Sequence, residues 1–138
     1  MSLSTCRILE LPKITDRRGS LTFAEAGRHV PFDIQRIFYL FDVPVGEMRA
    51  AHALRTCQQF IVAFSGEFEV RVDDGQAKNQ FHLDRPDCGL YVPPLVWREI
   101  AGFSSKAVCL VLASEFYDEA DYLDDYAAFT AAVGAHKK

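Results

Sequence analysis

The stretch GEMRAAHALRTCQQFIVAFSG, Gly46 to Gly66, decides the fold. Its second half, Gln59 to Phe64, is a short run of β-branched and aromatic residues, the composition of a strand. Ser65-Gly66 follows as a turn signal, and Glu67 to Val72 resumes the strand pattern, so the two segments read as a hairpin. In the first half, His52 and Leu54 lie two apart on a predicted strand. Side chains two apart face the same side, so both are expected at the same mouth.

The same grammar continues outward on both sides. Asp16-Arg17-Arg18-Gly19 turns into a strand over Ser20 to Phe23, and Ile34 to Phe41 alternates at Ile34, Arg36, Phe38 and Leu40. Asp73-Asp74-Gly75 is a tight-turn signal. Phe81 to Leu83, Gly89 to Val92, Val96 to Ile100 and Val108 to Leu112 complete the strands. Turns every eight to twelve residues suggest a sandwich or barrel. Only the tail changes period. Asp118 is the expected helix cap, Glu119 and Asp121 suit the positive end of the helix dipole, and Tyr122, Tyr126 and Phe129 form a stripe expected to pack on the strands.

Composition narrows the function classes. The 138 residues suit one domain, with no repeat, linker or low-complexity stretch. A net charge of −4 leaves no basic footprint for nucleic acid. No apolar run approaches the ~20 residues that span a bilayer. MSLSTCRILELPK lacks the layout of a signal peptide, so a cytoplasmic location is expected. Cys6, Cys57, Cys88 and Cys109 form no CxxC pair and read as reduced, buried side chains.

The Gly46–Gly66 stretch resembles the first cupin motif, G-x5-H-x-H-x4-E-x6-G. The frame fits Gly46, His52, Leu54, Gln59 and Gly66, with Leu54 in place of the second histidine and Gln59 in place of the glutamate. Pro93 to Arg98 resembles the second motif, with Arg98 where the last histidine ligand would stand. A metal site needs three or four converging N or O donors. Leu54 donates nothing, Gln59 is a poor neutral ligand and Arg98 is a fixed cation, so metal catalysis is not expected.

Across Leu11 to Phe129 the chain is similar to the dTDP-4-keto-6-deoxyhexose 3,4-ketoisomerases. The resemblance rests on DRRGSL at 16–21, PFDIQRIFYLFDV at 31–43, RAAHA at 49–53, DDG at 73–75, GLYVPPLVWRE at 89–99, and FSS with VLASEFYDEADYL at 103–123. It implies an all-β fold, a single cupin (jelly-roll-like) β-barrel with a C-terminal helix, spanning residues 1–138 as one domain. It implies a homodimer with exchanged N-terminal strands. The implied reaction moves the ketone of a dTDP-linked sugar from C4 to C3 by proton transfer, without metal or redox cofactor. By the same resemblance, His52 and Tyr39 face the sugar, Arg18 and Arg49 meet the diphosphate with Arg36 beside them, and Ser104 helps hold the nucleotide.

Two departures stand out: His52-Ala53-Leu54 where the family has H-x-H, and Trp97-Arg98-Glu99 where it has Trp-His-Glu. Losing a positioned acid/base costs about 10²–10⁴ in rate. Three outcomes stay open: a slow isomerase, one using His52 or Tyr39 as base, or altered chemistry. Arg98 is suited to an enolate oxygen or to a carboxylate or phosphate on the ligand. The competing readings are a non-catalytic cupin that binds a dTDP-sugar or pairs with an active paralogue, and a ligand-free structural barrel.

Overall fold

A computed structural model describes residues 5–137; the part of the signal-peptide reading that concerns residues 1–4 lies outside them. The chain runs through β1 (Arg7–Glu10), β2 (Lys13–Asp16), β3 (Gly19–Thr22), β4 (Arg36–Leu40), β5 (Arg49–Leu54) and β6 (Gln59–Ser65). It continues through β7 (Phe68–Asp73), β8 (Lys78–Leu83), β9 (Cys88–Val92), β10 (Trp97–Ala101), β11 (Val108–Ala113), a 3₁₀ turn (Glu119–Asp121), β12 (Tyr122–Leu123) and α1 (Tyr126–Lys137). Two five-stranded sheets, ordered β1-β9-β6-β11-β4 and β12-β5-β10-β7-β8, carry the fold, with β2-β3 as a separate hairpin. The sheets do not close into a barrel. They form an open, antiparallel, cupin-like double sheet.

The core lies between the sheets. Ile61 and Ala63 of β6 meet Phe68, Val70 and Val72 of β7, together with Leu90, Val92, Ile100, Cys109 and Val111. Strand β7 shows the alternation expected when one face is buried: Phe68, Val70 and Val72 point inward, and Arg71 is exposed. Strand β6 does not alternate, because Phe60 and Val62 are buried on its outer face under Val30 and Phe32. That double burial explains the unbroken apolar run QFIVAF.

The expected β6–β7 hairpin does not form. Strand β6 pairs with β9 and β11, and β7 pairs with β8 and β10, so Ser65–Glu67 carries the chain from one sheet to the other. Gly66 permits the crossing with φ +69°, where an added Cβ would lie 2.6 Å from Ser104 Oγ. The Asp73-Asp74-Gly75 turn does join β7 to β8, which pair from Phe68↔Leu83 to Asp73↔Lys78.

The tail is also corrected. Asp118 caps only the 3₁₀ turn, accepting from Ala120 N at 3.0 Å. The chain then returns to extended form, because Tyr122 and Leu123 pair with Leu54 and Ala53 of β5. The helix starts at Tyr126, with the Asp125 carboxylate accepting from Ala127 N. It packs Phe129, fully buried, against Trp97, Ala53 and Leu123. No helix among the described residues is long and apolar enough to cross a membrane.

Candidate functional site

Two cross-strand rows build the site. On one sheet, Ala113 of β11 lies opposite Arg36 of β4 on one side and Gln59 of β6 on the other. On the other sheet, Arg98 of β10 lies opposite His52 of β5. Between the rows is a cleft of about 420 Å³, lined by Arg36, Arg49, His52, Gln59 and Arg98 and by the rings of Phe38, Tyr117 and Tyr122. Toward the core its walls become apolar, at Ile61, Ile100 and Val111.

His52 reaches the cleft through an irregularity in β5. The register shifts between Arg98↔His52 and Glu99↔Ala50, which leaves Ala51 as an extra residue. Ala50 and Ala51 take φ +74° and +53°, the left-handed region that costs a non-glycine residue about 1–2 kcal/mol. The bulge leaves Ala50 and His52 lining the cleft while Ala51 and Ala53 pack toward Trp97 and Leu123. Leu54 does not share the mouth with His52. It is buried with Cys57 and Ala113 and closes the seam behind Tyr122.

The imidazole of His52 stands edge-on to Tyr122, with ring centroids 4.9 Å apart, and its Nδ1 lies 4.0 Å from Asp124 Oδ1. Burial, and then the Arg98 guanidinium, pull its pKa down to about 4; Asp124 opposes them. His52 is therefore neutral, with a lone pair available, across the physiological range.

Arg98 is 1% exposed. Its Nε and Nη2 donate to Val96 O at 3.2 and 3.1 Å, and its Nη1 donates to Gln59 Oε1. Burial lowers its pKa to about 10, so it keeps its charge at neutral pH. Arg36 is held between the rings of Phe38 and Tyr117, 5.2 and 5.6 Å from their centroids, and donates to the Tyr122 hydroxyl at 3.3 Å. Its Nε and Nη1 are buried without a hydrogen-bond partner. Among the described residues no three His, Cys, Asp or Glu side chains converge as a metal-ligand group.

The remaining expected residues lie elsewhere. Tyr39 is on the opposite face of β4, beside Phe41 and Phe64, because it is one residue out of phase with Phe38. Arg18 sits on the β2–β3 hairpin, ion-paired with Asp16 at 2.8 Å. Ser104 serves the crossing between sheets: its hydroxyl accepts from Glu67 N at 2.9 Å and its N–H donates to Glu67 O. Of the seven expected residues, the structure brings together His52, Arg36, Arg49 and Arg98. Gln59, Tyr117 and Tyr122 were not anticipated as cleft residues. In the sequence Gln59 stands at a metal-ligand position of the cupin frame, Tyr122 falls at helical spacing with Tyr126 and Phe129, and Tyr117 lies within VLASEFYDEADYL without an assigned role.

A neutral histidine between arginine donors, on facing sheets of an open double sheet, defines a cupin-like protein built to handle an oxygen-rich ligand. The chain belongs to the family described as FdtA: WxcM-like, C-terminal, which matches residues 4–134. It is 42% identical over 135 residues to the TDP-4-oxo-6-deoxy-α-D-glucose-3,4-oxoisomerase of Aneurinibacillus thermoaerophilus, covering 96% of this chain and 97% of that protein. Its fold is similar to that of the TDP-quinovose 3,4-ketoisomerase WlaRB of Campylobacter jejuni, with TM-score 0.89 and 41% identity over 94% of this chain and 99% of that one. It is also similar to the sugar 3,4-ketoisomerase QdtA of Thermoanaerobacterium thermosaccharolyticum in complex with TDP, with TM-score 0.94 and 32% identity over 98% of both chains.

Proposed function

We propose that this protein is a nucleotide-sugar 3,4-ketoisomerase acting on a TDP-linked 4-keto-6-deoxyhexose. The observation that carries the reading is His52, kept neutral beside a buried Arg98 in a cleft with further arginine donors. A proton on the carbon next to a ketone is acidic enough for a positioned imidazole to remove. His52 takes the proton from C3, and the electron pair moves into the C4 carbonyl to give an enediolate. The O3 proton passes to O4, the charge left on O3 closes to the C3 ketone, and the imidazolium returns its proton to C4.

Arg36 and Arg49 are suited to the diphosphate, because guanidinium forks match phosphate oxygens. The departure at Leu54 removes no group from the cleft, since that side chain lies in the seam with Cys57 and Ala113. This favours a catalytic protein over a binding-only one.

The proposal extends to a homodimer of one-domain chains. Ile37, Tyr39, Phe41 and Phe64, each 57–60% exposed, give the outer face of the β6-β11-β4 side of its sheet the apolar surface that a second copy covers. Strand β1 is already paired with β9 of its own chain, so an exchange between copies would involve the β2–β3 hairpin. Arg18 joins the diphosphate group only in such an assembly, and Tyr39 then belongs to the interface. Four free thiols suit a reducing compartment, the cytoplasm.

The test is incubation with TDP-4-keto-6-deoxyglucose in D₂O, followed by NMR. Deuterium at C3 of the recovered substrate, and a 3-keto product carrying deuterium at C4, are expected. Absence of exchange by protein that binds TDP in a calorimeter overturns the reading.

A further inference from the structure

Gln59 is 3% exposed, yet its Nε2 has no hydrogen-bond partner among the described residues. An orphaned buried donor is costly and calls for an explanation. Arg98 explains its orientation. A guanidinium has only donors, so the end of the amide it meets must be the oxygen. Arg98 is itself pinned to Val96 O and buried, so the amide cannot flip. The Gln59 –NH₂ is thus directed away from Arg98, and the side chain lines the cleft. Binding of its oxygen to a cation also polarises the amide and strengthens its N–H as a donor.

The position of that donor is informative. Arg98 is both the hydrogen-bond partner of Gln59 and the cross-strand neighbour of His52. Base and orphaned donor are therefore each one contact from the same guanidinium, on facing sheets. Arg36, whose Nε and Nη1 are also unpaired, stands farther along the row Arg36–Ala113–Gln59, its backbone two strands from that of Gln59 and about 10 Å away by strand spacing.

We infer that Gln59 is a catalytic residue, whose Nε2–H donates to the substrate oxygen that becomes the enediolate, with Arg98 positioning it. This rests on the isomerase reading. As His52 removes the C3 proton, the electron pair arrives on O4, and the amide N–H receives the growing charge without giving up its proton. A donor held in advance, on a side chain only 3% exposed, favours that charge over the neutral carbonyl.

The experiment compares wild type, Q59E and Q59L for deuterium exchange at C3 of TDP-4-keto-6-deoxyglucose, with thermal melts and TDP calorimetry in parallel. Q59E retains a partner for Arg98, whereas Q59L leaves Arg98 Nη1 without its amide partner, so Q59E is the better-folded variant. Loss of the donor is expected to slow exchange about 10²–10³-fold in both variants with TDP affinity retained. Q59E, which presents a carboxylate to the enediolate, is expected to be the slower of the two. A merely structural role gives the opposite order, and that order, or exchange near the wild-type rate in either TDP-binding variant, overturns the assignment. A wild type that binds TDP without exchanging C3 overturns the isomerase reading and this assignment with it.

Discussion

His52 is expected to give this protein a pH dependence between about 4 and 6.5. Its pKa falls from 6.5 to about 4 through burial and the nearby Arg98. Between those values the unfolded chain holds more protons at this position than the folded one, so stability rises with pH across the window and levels off above it. The difference is on the order of 3 kcal/mol at most. Urea titrations from pH 4.5 to 7 are expected to show this slope in wild type and to lose most of it in His52→Asn. The same shift places the acid limb of the exchange rate far below the range of an ordinary histidine. Arg98→Met removes the second cause of the shift, so the His52 titration, followed by NMR of its ring protons, is expected to move upward toward 6.5. An unmoved titration would mean that burial alone sets it.

At the scale of elements, the bulge in β5 places His52, the proposed base, in the cleft. Strand side chains alternate with period two, so deleting Ala51 would turn either His52 or the residues before it to the opposite face. The expected result is a folded or partly folded protein with no measurable C3 exchange; full activity would show that the bulge is dispensable. Nothing in Ala50-Ala51 announced this, since alanine is not a residue that marks left-handed backbone. The strands themselves were legible from β-branched runs and turn residues, and the Asp73–Gly75 turn was read correctly. Partner choice was not. Gln59–Phe64 and Glu67–Val72 are adjacent in sequence, yet each finds better burial in a different sheet. The helix starts later than its capping signals suggest for a related reason: Tyr122 and Leu123 gain a ladder with β5, which local sequence does not reveal. In the site, the motif frame points to His52 and Arg98, whereas the places of Gln59 and Tyr122 in the cleft depend on contacts across sheets that no local pattern encodes.

At the scale of the molecule, both sheets have outer faces covered only in part. The β12-β5-β10-β7-β8 sheet is covered in part by α1, and the opposite outer face in part by Val30 and Phe32. The rest, at Ile37, Tyr39, Phe41 and Phe64, is bare, with the rings of Tyr39 and Phe41 5.9 Å apart. A charged residue there is tolerated by a monomer and not by a dimer. Phe41→Lys is expected to shift sedimentation from dimer toward monomer without loss of the fold; a wild type that sediments as a monomer removes the dimer proposal.

The four cysteines turn the fold into its own stopwatch. All are free and buried, with the Cys109 thiol pushed up to about 12 and that of Cys6 to about 11 by burial. A disulfide-exchange reagent attacks only thiolate it can reach, so the closed protein offers it almost nothing. Labelling then counts openings. Cys109, in the central region of its sheet and fully buried, times global unfolding, while Cys6, just before the edge strand β1, times fraying of that edge. A ligand that knits the two sheets together slows the first clock directly, giving a readout of binding that needs neither turnover nor a chromophore on the sugar.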